Sequence, residues 1–377
     1  MRKERLLSPG PTPVPAEVLL ELAKPVIHHR TAENRAIVRE VTDALKDVFK
    51  TKNDPVILAS SGTGAMEAAI VNTVAAGEKA ICVRGGKFGE RWAEICEAYG
   101  VTPVCLDVEW GSPVDVVAVG DALKANPDAA AVCTTLCETS TGTVNDIEAL
   151  ATLTCDAGAL LVVDAISALG AMELRMDQWG VDIVVSGSQK ALTLPPGLGV
   201  IALSDKAWAR AEQAQRTCYY FDLLKARASL AKDDTPWTPA HTLIAALRRS
   251  LEVIQSAGGV EAMWAFDAAL AKATRQAAES MGLALFSKAP ANAVTAITLP
   301  DGVDGAAVVT AMADTYGVRV AGGQAQLKGR ICRIAHMGYI DAFDVICALT
   351  ALGYALADAG HPVDMSGIAA AFAGLSG

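Results

Sequence analysis

Apolar residues recur along the chain in short, nearly unbroken runs, each followed by a stretch whose apolar positions return every three or four residues. The runs at 56–58, 80–83, 102–106, 130–134, 160–164, 183–186 and 199–203 read as strands. They are rich in Val, Ile and Leu with little polar alternation, as strands covered on both faces are. An α/β fold with a mostly parallel seven-stranded sheet is therefore expected. Helical periodicity marks 35–49, 63–74, 88–99, 147–157 and 206–214. A longer helical pattern runs from 242 to about 257, is interrupted at Gly258-Gly259, and gives way to another from 260 to about 281. Strand-like runs near 294–298, 318–320 and 331–334 follow.

This order predicts three parts. Residues 1–22 form an arm whose Pro9, Pro11, Pro13 and Pro15 favour an extended path. Residues 23–258 form a large domain and 259–377 a smaller C-terminal α/β domain, both within ordinary limits of size. The stretch after Pro362, rich in Ala and Gly, reads as a short amphipathic helix or a loose tail.

Composition narrows the function. Apolar residues make up 52% of the 377, which excludes global disorder. A formal net charge of −10 argues against a nucleic-acid partner and against attraction to an anionic membrane surface. No uncharged apolar run has the length of a membrane span, and the first residues carry charge without a signal-peptide core. The last three residues, Leu-Ser-Gly, are not a peroxisomal address. Nine cysteines without a regular framework read as reduced thiols, so a cytoplasmic location is expected. Cys133 and Cys137 lack a second Cys/His pair at ligand spacing, so no metal site is expected.

Three segments carry the chemistry. Ser186-Gly-Ser-Gln-Lys-Ala-Leu-Thr-Leu-Pro-Pro-Gly197 presents Lys190 just after a strand-like run, in rigid surroundings with little charge that lower an amine's pKa. Leu160-Leu-Val-Val-Asp164 ends another such run in a carboxylate. Ser60-Ser-Gly-Thr-Gly-Ala65 follows a strand and opens a helix, where backbone N–H groups and the helix dipole welcome an anion. That loop lacks the Gly-Lys-Ser/Thr ending of a P-loop and the third glycine of a dinucleotide fingerprint. Singly, each has an ordinary structural explanation: a surface lysine, a strand-end cap, a helix cap. Together they are the amine, carboxylate and phosphate cradle that pyridoxal phosphate (PLP) requires.

From Ser8-Pro-Gly-Pro-Thr-Pro13 to Arg333-Ile-Ala-His-Met-Gly338 the chain resembles class V aminotransferases of PLP fold type I, in the alanine–glyoxylate and serine–pyruvate branch. The Ser-Gly-Ser-Gln-Lys-Ala-Leu segment is the most specific part of the match. The resemblance implies that Lys190 forms the imine with the coenzyme, that Asp164 holds the pyridine nitrogen, and that Ile166 lies under the ring. It assigns the phosphate cup to Ser61, Gly62, Thr63 and Gln189, with Thr238 added by a neighbouring subunit of a homodimer. Phe88, in Phe88-Gly-Glu-Arg91, stands where a stacking tryptophan is common. Relatives often have a histidine at Thr63 and a tyrosine near Thr235. Thr139, in Cys137-Glu-Thr-Ser-Thr-Gly142, matches the loop at the coenzyme's O3′ side. Arg333 matches the clamp on the substrate α-carboxylate, and Gly10 falls in the substrate-contacting arm. His28, His29 and Arg30 could enter the partner's site, a structural role being the plainer reading.

The expected activity is transfer of an amino group from alanine or serine to glyoxylate or pyruvate. One carboxylate clamp without a clear second arginine suits small donors. Rival readings are a same-fold transaminase for ureidoglycine, an aminophosphonate or pyridoxamine, a PLP lyase or desulfurase, and a PLP-binding subunit without catalysis. Against the desulfurase stand Phe88 in place of a histidine and the cysteine-free loop Gly322-Gly-Gln-Ala-Gln-Leu-Lys-Gly329.

Overall fold

The computed structural model describes residues 3–214 and 218–375. The first two residues of the expected arm and the last two of the expected tail lie outside that range. In chain order the strands used below are β1 (Arg5–Leu6), β2 (Val56–Ala59), β3 (Lys79–Arg84), β4 (Thr102–Asp107), β5 (Ala129–Thr135), β6 (Leu160–Asp164), β7 (Ile183–Gly187) and β8 (Leu198–Leu203). They continue as β9 (Val294–Thr298), β10 (Val318–Arg319), β11 (Ala321–Gly322) and β12 (Ile331–Ala335). The helices that matter most are α1 (Ala16–Leu22), α2 (Ala32–Phe49), α3 (Gly62–Thr73), α4 (Lys87–Ala98), α5 (His241–Ser256), α6 (Gly259–Ser280) and α7 (Ala342–Asp358).

Seven strands form one sheet in the order β2-β8-β7-β6-β5-β3-β4. The pairs β3–β4, β3–β5, β5–β6 and β6–β7 are parallel, whereas β8 runs against both of its neighbours. Alternate residues feed different cores. Ile81, Val132, Leu161, Val163 and Val184 join the cluster built on α2, α5 and α6, while Cys82, Cys133, Val162, Ile183 and Val185 join the one built on α3 and α4. This period of two with apolar residues on both faces is what the strand-like runs implied.

A second sheet, β9-β12-β11, is antiparallel and is covered by α6 and the helix Gly305–Asp314, on both of which α7 packs. Two segments depart from expectation, the N-terminal arm and the run near 318–320. Ala16–Leu22 is helical, because Pro15 can precede a helix and Val18 is an apolar anchor that packs to full burial. The run expected near 318–320 breaks into β10, which pairs in parallel with β1, and β11, which edges the small sheet. The tail contains the short helix Ile368–Ala371, with Ile368 buried.

Candidate active site

The parallel strands deliver the predicted residues to their C-terminal ends, where open α/β sheets bind ligands. Asp164 is the last residue of β6, and Lys190 follows β7, the adjacent strand, by three positions. Burial pushes Asp164 up to about 7, while the Ile166 N–H, 2.7 Å from its Oδ1, draws it back down. Burial pulls Lys190 down to about 8, and the negative charge of Asp164 opposes that. Each side chain therefore lies within electrostatic reach of the other, and both titrate near neutrality.

The arm closes over the lysine. Lys190 Nζ donates to the Pro9 carbonyl, Thr12 Oγ1 donates to the Lys190 carbonyl at 2.8 Å, and Thr12 N–H reaches the Gln189 carbonyl at 3.2 Å. Gly10 has φ of +128°, and a Cβ there would overlap the Lys190 amine. Only glycine lets the backbone pass so near the ε-nitrogen.

At the end of β2, Ser61 is the N-cap of α3, but its hydroxyl makes no capping bond. The first N–H groups of α3 have no partner within the helix, and those of Gly62 and Thr63 open the cup. Ile166 packs on this turn so closely that a Cβ at Gly62 would lie 2.6 Å from its Cδ1. Gln189 stands beside the same turn, and its buried side-chain Oε1 has no hydrogen-bond partner. That oxygen is an acceptor, so an anion at this turn is met by the N–H groups of α3 rather than by it.

Phe88 sits in the first turn of α4, after β3, and is half-buried. Its position depends on Glu138, which the sequence reading quoted without a role. The Glu138 carboxylate accepts from Phe88 N–H at 3.2 Å, Gly89 N–H at 2.8 Å, Ser140 N–H at 3.1 Å and the Ser140 hydroxyl at 2.5 Å. A Cβ at Gly86 would overlap Ser140 and Glu138, so the chain crosses here too closely for any side chain. Burial raises the Glu138 pKa, and these donors hold it back.

Arg333 lies in β12, the centre of the small sheet, and reaches the loop after β5 that carries Thr139. Its Nη1 donates to the Thr139 carbonyl at 2.8 Å, and Nε and Nη2 donate to the Gly322 carbonyl at 3.0 and 2.8 Å. Of five guanidinium N–H groups these bonds use three, so two remain for a carboxylate. Burial lowers the Arg333 pKa. The Thr139 hydroxyl shares a 2.6 Å hydrogen bond with Ser167.

Thr238 is exposed beside a cleft lined by Leu58, Leu198, Tyr220 and Trp237. Among the described residues no hydrogen bond joins it to the cup. Arg30 pairs with Asp234 at 2.6 Å and donates to the Thr235 carbonyl at 2.8 Å, and His28 stacks on His29. His336 is fully buried, with Nε2 2.8 Å from Thr295 Oγ1, so it is a structural residue.

The sequence profile described as aminotransferase class-V matches residues 6–341. This chain belongs to the class V aminotransferases. It is similar to the small subunit of a soluble hydrogenase from Synechococcus sp., with 41% identity over 95% of this chain and 94% of the relative. A serine–glyoxylate aminotransferase of Hyphomicrobium methylovorum is 36% identical over 94% and 90% of the two chains. An L-aspartate–glyoxylate aminotransferase of Paracoccus denitrificans is 35% identical over 96% and 94%. The crystal structure of pyridoxamine–pyruvate aminotransferase from Mesorhizobium loti superposes with a TM-score of 0.94 at 30% identity, covering 99% of this chain and 97% of that one. The aminotransferase has the PLP fold type I architecture and is PLP-dependent. The chain's own geometry fits the coenzyme: the unpartnered first N–H groups of α3 at the Gly62 turn form an anion cradle, and the amine and the carboxylate emerge from neighbouring strands.

Proposed function

We propose that this aminotransferase moves the amino group of alanine or serine to glyoxylate or pyruvate. Ser61, Gly62, Thr63 and Gln189 would hold the coenzyme phosphate, Phe88 and Ile166 its two faces, and Thr139 its O3′ side. When bound, PLP supplies an electrophilic carbon and a protonated pyridine that withdraws electrons. Asp164 holds the proton at the pyridine nitrogen. Lys190 would anchor the coenzyme's reactive carbon and, as a free amine, would take the proton from the substrate Cα. A pKa drawn down to about 8 leaves a useful fraction of that amine unprotonated at neutral pH. Arg333 grips the α-carboxylate with its two uncommitted N–H groups, and Gly10 bounds the space in which a small side chain sits.

The observation that carries this reading is the bracing of Arg333 by backbone carbonyls of two segments distant in sequence, Thr139 and Gly322. So fixed, the fork presents one carboxylate geometry beside Lys190. Glyoxylate as acceptor is supported by the names of two relatives, and pyruvate by that of the solved neighbour.

A homodimer completes the site in this reading, with Thr238 entering the neighbour's cup. Tyr219 and Tyr220, 72% and 47% exposed, stack with Trp237 beside Thr238 and form an apolar surface suited to burial between copies. We assign the arm to 1–22, the large domain to 23–258 and the small one to 259–377. A cytoplasmic setting agrees with nine cysteines of which none among the described residues is paired in a disulfide. No helix among the described residues is long and apolar enough to cross a membrane.

The test is a half-reaction screen. Each amino acid is offered to the PLP-loaded protein, and conversion to the pyridoxamine form is followed by absorbance. Alanine or serine should convert the spectrum and Lys190→Ala should not respond. Conversion by aspartate or pyridoxamine alone would overturn the donor assignment, and silence toward all amines would favour a non-catalytic subunit.

A further inference from the structure

The cradle has a charge problem. A phosphate monoester carries about −1.5 to −2 at neutral pH, whereas a helix N-terminus offers roughly +0.5. Ser61, Gly62, Thr63 and Gln189 add only neutral donors, and the family's frequent histidine is a threonine here. Lys190 is committed to the other end of the coenzyme.

Arg91 lies three positions after Phe88, on the same face of α4. Its guanidinium sits 5.0 Å from the centre of the Phe88 ring, and its Nη1 donates to Thr63 Oγ1 at 3.1 Å. The positive charge is felt at both Asp164 and Lys190, which places it within the site's electrostatic reach. Glu67, one turn beyond Thr63 on α3, has its Oε1 bound by the Tyr99 hydroxyl at 2.5 Å. Among the described residues Arg91 forms no ion pair. An arginine with no acid partner among the described residues, bonded to a hydroxyl of an anion cradle, is poised to meet an anion.

We propose that Arg91 is a coenzyme-positioning residue that neutralises the PLP phosphate, reaching the cup from α4 through Thr63. This rests on the reading of Ser61–Thr63 as the phosphate cup. Arginine suits the task because its planar fork binds phosphate oxygens in pairs while its face packs on an aromatic ring. One side chain then ties the phosphate anchor to Phe88, so coenzyme binding tightens the turn that covers the ring.

The experiment compares the affinity of the apoprotein for PLP and for pyridoxal, which lacks the phosphate, by visible absorbance and by quenching of tryptophan fluorescence. Arg91→Met should weaken PLP binding by about 10–100-fold, the loss of one or two charge-assisted bonds, and leave pyridoxal binding within about threefold. Arg91→Lys should recover part of the loss. Thr63→His in the Arg91→Met background should recover part of it too, and its far-ultraviolet circular dichroism checks folding. Equal losses for PLP and pyridoxal would overturn the proposal in favour of packing against Phe88. An unchanged PLP affinity with a lost response to aspartate would overturn it in favour of a clamp on a second substrate carboxylate. A wild-type protein that binds neither compound would refute the cup itself rather than the part given to Arg91.

Discussion

Replacing Glu138 by alanine should loosen the first turn of α4 and, with it, the covering of the coenzyme ring. Four donors converge on this buried carboxylate: the N–H groups of Phe88, Gly89 and Ser140 and the Ser140 hydroxyl. Hydrogen bonds to a charged acceptor contribute about 1.5–3 kcal/mol each. Water entering the space left by the side chain would re-satisfy part of the set, so the net loss is about 3–5 kcal/mol. At roughly 0.8 kcal/mol per kelvin for a chain of this length, the midpoint of thermal unfolding should fall by ~4–6 °C. The rest of α4 should persist, because Trp92 Nε1 still donates to the Thr134 carbonyl at 3.0 Å in the core. The damage therefore concentrates on Phe88 and Arg91, and the dissociation constant for PLP should rise about tenfold. Glu138→Gln keeps the shape and one acceptor oxygen and should cost about 1–2 kcal/mol. Denaturant unfolding with a parallel PLP titration reads both quantities. A Glu138→Ala protein within ~0.5 kcal/mol of wild type would refute the accounting. A destabilised protein with unchanged PLP affinity would show that Glu138 supports the fold without forming the site.

Arg333→Lys keeps the charge but loses the braced fork, so kcat/KM for the amino donor should fall by ~10²–10³-fold with PLP affinity intact; a loss below about threefold would remove Arg333 from the clamp. His336 is held neutral by burial, its pKa lowered to about 3 from the ordinary 6.5. The unfolded chain takes up a proton below 6.5 that the native state refuses, so the stability contributed by neutral His336 is complete above 6.5 and is lost as pH falls toward 3, about 4–5 kcal/mol in all. Asp164 acts in the opposite sense in the apoprotein, because its raised pKa makes the native state less stable as pH rises from 3.8 to about 7. The difference in acid unfolding between wild type and His336→Gln isolates the histidine, and parallel curves would refute its role.

The alternation of strand-like and helical runs was readable along the chain because burial on both faces leaves a local imprint, a continuous apolar run. The ends of those runs also marked where Asp164 and Lys190 would emerge, since a residue just past a parallel strand must sit at the ligand-binding edge. Phe88 and Arg91 show the limit. Their spacing on one helix face is local, but the bonds to Thr63 and Glu138 join segments 28 and about 50 residues apart. The same holds for Arg333, whose bond to Thr139 spans 194 positions.

The amino-acid order alone thus determined which stretches are buried, in what alternation, and which reactive groups follow them. Folding in three dimensions decided the reversed direction of β8, the pairing of β1 with β10 and the packing of α1 on α5. It also decided that one buried acid would brace the turn carrying Phe88. Those outcomes depend on which distant backbone groups find partners once the core closes, and no periodicity along a single segment encodes that choice.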